Sequence, residues 1–149
     1  MIGVDTVTDD FNCFMQFFLH ERGIVMSWKV YRCDICGNVV PTLEDGEAPI
    51  CCNQPMKLLK AGTTDAALEK HVPQVTVDGN KINVVVGSVE HPMLDAHYIT
   101  FIAINTKKGG QIQELAPGQK PAAEFTLEDG DEFISAIEYC NLHGLWEGK

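Results

Sequence analysis

The 149-residue chain has no run of about 18 apolar residues, so no segment of it reads as a bilayer-spanning helix. Positive charge is scarce: 11 Lys and Arg stand against 21 Asp and Glu, a net charge of −10. A nucleic-acid partner needs a basic face for its phosphates, and that class of function is excluded. The same imbalance repels small anions, so an anionic substrate requires a local cation. No basic region precedes the N-terminal apolar stretch, where Asp5, Asp9 and Asp10 stand instead, the wrong charge for a signal peptide. The expectation is a cytoplasmic protein. In a reducing compartment its six cysteines read as metal ligands or free thiols rather than as a disulfide framework.

Three segments are distinguishable. Residues 1–25 form a leader in which Thr8 can cap a helix, Phe11, Met15, Phe18 and Leu19 fall at helical spacing, and Gly23 can end it. Its Cys13 and His20 are assigned no metal role. Residues 26–62 open with an alternating strand at 28–32 and resume as a strand after Asn38. Residues 63–149 read as all-β, with candidate strands at 74–77, 81–86, 98–105, 111–114, 123–127 and 133–139. Turns at Asp78-Gly79-Asn80, Lys107-Lys108-Gly109-Gly110, Pro117-Gly118 and Asp129-Gly130 separate them. Short strands at this spacing predict an immunoglobulin-like β-sandwich.

The middle segment is too short to fold on buried surface alone. Cys33-x-x-Cys36 followed by Cys51-Cys52 offers four thiolates for one metal, whose binding supplies the missing stability. A Cys-x-x-Cys turn aims two sulfurs at one ion, whereas adjacent cysteines normally diverge, which predicts local strain. The pattern favours a one-electron iron centre, with a zinc staple and a vicinal disulfide as alternatives.

Four of the five histidines fall in three motifs: His71 in Glu69-Lys70-His71-Val72-Pro73, His91 and His97 in His91-Pro92-Met93-Leu94-Asp95-Ala96-His97, and His143 in Tyr139-Cys140-Asn141-Leu142-His143-Gly144. Any one histidine alone reads as a satisfied loop or core residue. Together with Cys140 they make five donors, one more than structural zinc takes. They suit a square pyramid around iron: four imidazoles in plane, an axial thiolate that pushes electron density onto the metal, and an open sixth position. Lys70, beside a ligand, is the local cation an acidic protein needs for an anionic substrate. Glu69 is placed to fill the sixth position after oxidation; the alternative reading is that Glu69 and Lys70 are two solvated loop charges. Trp146 reads as a shield for the site or as core.

From Trp28 to the C-terminus these motifs jointly resemble the desulfoferrodoxin family, the two-iron superoxide reductases. The resemblance implies an all-β protein: a small desulforedoxin-like (rubredoxin-type) metal-bound domain at 26–62, then an immunoglobulin-like reductase domain at 63–149. It implies two iron ions per chain, one held by Cys33, Cys36, Cys51 and Cys52, the other by His71, His91, His97, Cys140 and His143. It implies Lys70 and Glu69 as catalytic residues, superoxide reduced to hydrogen peroxide, a homodimer, and rubredoxin or a similar small protein as electron donor. Two rival readings are a non-catalytic electron carrier using the thiolate-ligated iron, and a β-sandwich binding module with a zinc-stapled appendage.

Overall fold

The computed structural model describes residues 26–149. The helix expected within residues 1–25, with Cys13 and His20, lies outside them. In the N-terminal module β1 (Lys29–Arg32) pairs antiparallel with β2 (Val39–Thr42) on one side and with β5 (Lys57–Leu58) on the other. Between β2 and β5, β3 (Ile50–Cys51) and β4 (Gln54–Pro55) form a minimal hairpin. Its core is small, with Tyr31, Cys33 and Met56 buried together.

The remainder is a two-sheet antiparallel sandwich, as expected from the strand pattern. One sheet has the order β10 (Ala122–Thr126), β7 (Lys81–Val86), β6 (Pro73–Asp78). The other has the order β12 (Gly144–Gly148), β11 (Phe133–Cys140), β8 (Ile99–Thr106), β9 (Gly109–Glu114). Strand β7 alternates: Ile82, Val84 and Val86 face the core, while Lys81 and Val85 face out, the pattern of a sheet wet on one side. Strands β8 and β11 lose that alternation because both of their faces are covered. Ile102, Ile104 and Ala136 meet the opposite sheet, while Phe101, Ala103, Ile137 and Tyr139 meet Val30 and Trp28 of the N-terminal module.

Trp28 fixes that second contact. Its backbone N–H donates to Asn105 Oδ1 at 2.7 Å and its indole Nε1–H to the Ile104 carbonyl at 3.0 Å. A Cβ on Gly110 would lie 2.6 Å from that Nε1, so only glycine at 110 lets the indole reach the β8–β9 hairpin.

Two elements of the sandwich domain were not anticipated. A single helical turn, α1 (Leu68–His71), precedes β6, four residues being too few for a helical period to register. Strand β12 is short and bounded by Gly144 and Gly148, which read as turn rather than strand. Near the end of β11 the pairing skips: Tyr139 faces Phe101 but Cys140 faces Ile99, leaving Thr100 unpaired. This bulge sets Ile99 beside Cys140 in the sandwich core; bulges beside sites commonly re-aim side chains in this way.

Candidate metal centres

The hairpin β3–β4 resolves the difficulty posed by adjacent cysteines. Its two turn residues, Cys52 and Asn53, have φ of 51° and 62°, the left-handed pair that a two-residue type I′ hairpin demands. That turn brings Cys52 round to the same point as Cys51. Opposite it, Gly37 N–H donates to the Cys33 carbonyl at 2.9 Å and Cys33 N–H to the Asn38 carbonyl at 2.8 Å, closing the Cys-x-x-Cys turn. The four sulfurs of Cys33, Cys36, Cys51 and Cys52 lie within 4.8 Å of one another. Cys51 and Cys52 are free thiols 4.0 Å apart, so no vicinal disulfide forms.

The thiols share charge unequally. Amide hydrogen bonding from Cys36, aided by Ile35, lowers the Cys33 pKa to about 7. Hydrogen bonding to Cys36 and Cys33 raises Cys51, and pushes Cys52 up to about 12. Four crowded thiols cannot all ionise without a cation among them, which is the environment a metal completes.

The second cluster is built from three separate pieces of chain. His71 ends α1. Its Nδ1 faces the Ala67 carbonyl at 2.8 Å, which fixes the proton on Nδ1 and bares Nε2. His91 does the same through the Pro92 carbonyl at 2.6 Å. The His91–His97 loop is closed by reciprocal backbone bonds between Leu94 and His97, each 2.9 Å. Cys140 ends β11 and His143 lies in the turn to β12, its Nδ1 3.6 Å from Cys140 Sγ and 3.0 Å from His71 Nε2. Ligating atoms of His71, His91, His97, Cys140 and His143 all lie within 4.8 Å of one another.

Burial lowers the pKa of His71 and His97, and brings His91 to about 4, with the neighbouring imidazoles adding to each. Burial thus favours the neutral form of these three imidazoles, the form that binds metal. The Nε2 atoms of His91 and His97 are buried with no hydrogen-bond partner. Buried nitrogens are rarely left so, and a metal accepts both lone pairs. Four imidazoles and one thiolate suit iron better than four-coordinate zinc, and four thiolates suit a single tetrahedral iron. The residues present fit two irons.

Lys70 and Glu69 are exposed on α1, next to His71. The Lys70 charge contributes to lowering both His71 and His97, so its ammonium is felt by imidazoles from two different parts of the chain. Trp146 is core and shield at once: it is 2% exposed and stacks on His71. Sequence reasoning missed Glu138, which shares the face of β11 with Cys140. It is fully buried and neither carboxylate oxygen has a partner. Burial raises its pKa well above the usual carboxyl range. Burial also raises the Cys140 thiol, with Glu138 adding to it. The signal was present: a glutamate amid Ile137, Tyr139 and Cys140 is the one charged residue of its strand.

The desulfoferrodoxin domain matches residues 63–149, and the desulfoferrodoxin N-terminal domain matches residues 26–59. The chain belongs to the desulfoferrodoxin family. A desulfoferrodoxin homolog of Archaeoglobus fulgidus is 46% identical over 120 residues, spanning 80% of this chain and 94% of that one. The desulfoferrodoxin of Nitratidesulfovibrio vulgaris is 43% identical over 123 residues, spanning 82% and 96%. Among solved structures, the superoxide reductase from Treponema pallidum superposes with a TM-score of 0.70 at 36% identity, covering 83% of this chain and 99% of that one. Both desulfoferrodoxin domains thus fall on the described residues, and each carries one of the two clusters.

Proposed function

We infer that this desulfoferrodoxin is a superoxide reductase: it transfers one electron to superoxide, which takes up two protons and leaves as hydrogen peroxide. The observation that carries the reading is the cluster of His71, His91, His97, His143 and Cys140, with two buried imidazole nitrogens otherwise unpartnered. It is supported by the likeness to the Treponema pallidum enzyme. Iron bound there supplies the electron. An external donor restores it, rubredoxin or a similar small protein, and the chain acts as a cytoplasmic homodimer.

The chain's own residues set the conditions. Lys70 counters the −10 net charge next to the site and draws superoxide in, because exposed charges beyond a Debye length, about 8 Å at physiological ionic strength, are largely screened. Glu69, on the same turn, is the carboxylate that would be available to the bound iron once peroxide has left. Ala67 and Pro92 carbonyls hold the His71 and His91 tautomers, the usual device for orienting metal-binding imidazoles. Cys140 is fully buried, which keeps water from its sulfur.

Product stoichiometry tests the reading. A reductase yields one peroxide per superoxide and no dioxygen when an electron donor is supplied. Dioxygen evolution would overturn it in favour of dismutation, and failure to consume superoxide with both irons loaded in favour of the electron-carrier reading.

A further inference from the structure

The helical turn that carries Glu69 and Lys70 is held by a segment with no role in the reaction as described so far. In an α-helix the Glu69 carbonyl would accept from the N–H of residue 73. That residue is Pro73, which has none. The carbonyl is instead taken by the β7–His91 loop: Val89 N–H donates to it at 2.9 Å and the Ser88 hydroxyl at 3.3 Å. Gly87 N–H donates to the Val72 carbonyl at 3.2 Å, tying the loop to the far side of the same turn.

The fit is close. Gly87 has φ +79°, and a Cβ there would lie 2.7 Å from the Lys70 carbonyl, 2.8 Å from that of Glu69 and 2.5 Å from that of Val89. Any side chain at 87 would therefore be strained and would push the Glu69–Lys70 backbone away. The loop ends four residues after Gly87 at His91, so one short segment joins a metal-binding imidazole to the turn bearing the two exposed charges.

We propose that Gly87, Ser88 and Val89 form a positioning clamp that sets where the Glu69 carboxylate and the Lys70 ammonium stand over the open face of the iron site. The proposal rests on the roles given above to Glu69 and Lys70. The clamp touches neither substrate nor metal; it acts through the Glu69 carbonyl.

The test uses the full iron-loaded chain, with Glu69→Ala and Lys70→Ala as references. Two things are measured: the visible spectrum of the oxidised form, and the rate with superoxide at several salt concentrations. Val89→Pro removes the amide donor and Gly87→Ala crowds the turn. Both should keep two irons per chain, shift the oxidised spectrum toward that of Glu69→Ala, and flatten the salt dependence while slowing the encounter about tenfold, as Lys70→Ala does. Val89→Ala keeps the N–H and should behave as the parent. A Val89→Pro chain with both irons, parental spectrum and parental salt dependence would overturn the clamp. So would loss of the histidine-bound iron in both Val89→Pro and Gly87→Ala, since the loop would then serve the fold alone. Parental behaviour of Glu69→Ala and Lys70→Ala themselves would instead remove the roles on which the clamp depends, and the clamp with them.

Discussion

The indole of Trp146 lies against the imidazole of His71, ring centroids 5.0 Å apart and planes within 24° of parallel. Its Nε1–H also donates to the His143 carbonyl at 3.1 Å. One side chain on the last strand therefore braces two metal-binding residues that are 72 positions apart in sequence. Trp146→Ala should cost about 3–5 kcal/mol of stability, the usual range for a buried tryptophan, and should speed iron loss from the histidine cluster. Trp146→Phe keeps most of the stacking and should lose iron more slowly than the alanine variant. Denaturant titration with parallel iron analysis checks both.

Iron per chain should be two. Cys51→Ser or Cys52→Ser should lower it to one and remove the absorption of the four-thiolate centre, while superoxide reduction stays largely intact, because the two clusters share no residue. Metal analysis together with a superoxide assay reads this directly. Loss of the second iron in either variant would contradict the two-module arrangement.

Lys70→Ala should lower the second-order rate with superoxide by roughly tenfold or more, within the range expected for electrostatic steering. It should also weaken the fall in rate as salt rises. Lys70→Arg should keep much of the rate, and neither variant should alter the iron spectra. Stopped-flow or pulse-generated superoxide at several salt concentrations is the measurement.

Glu69→Ala should leave the reaction with superoxide nearly unchanged and change the visible spectrum of the resting oxidised form. An unchanged spectrum would show that the carboxylate never reaches the metal.

Gly110→Ala tests the contact between the modules. The added methyl would meet Trp28 Nε1 at 2.6 Å and the Ile104 carbonyl at 2.8 Å. A loss of about 1–3 kcal/mol is expected, as for overpacking elsewhere, with both irons retained. Thermal unfolding followed at the tryptophans measures it.

Much of this was legible in the sequence because its signals are local. Period-2 alternation in Lys81–Val86 and turn chemistry at Asp78-Gly79-Asn80 marked strands to within a residue or two. The cysteine and histidine motifs announced both clusters. What escaped depends on distant partners. The carboxyl of Glu138 is unusual only because β8 and β12 flank it and leave it unpartnered. The left-handed pair Cys52-Asn53 lacks the Asn-Gly or Asp-Gly signature of its turn, so its ability to converge two adjacent thiols showed only in the backbone. The Glu69 carbonyl clamp arises from Pro73 and a loop 19 residues away, a pairing no periodicity reveals.

The spread of the two clusters along the chain also dictates an order of assembly. All four thiols lie between positions 33 and 52, whereas the imidazole cluster is incomplete until His143, near the end of the 149 residues. At typical synthesis rates of about 5–20 residues per second, the first pocket emerges from the ribosome roughly 5 to 20 seconds before the second can exist. A nascent chain can therefore load its thiolate iron before its reaction centre exists. Under iron shortage the two sites should fill unequally, the thiolate site first.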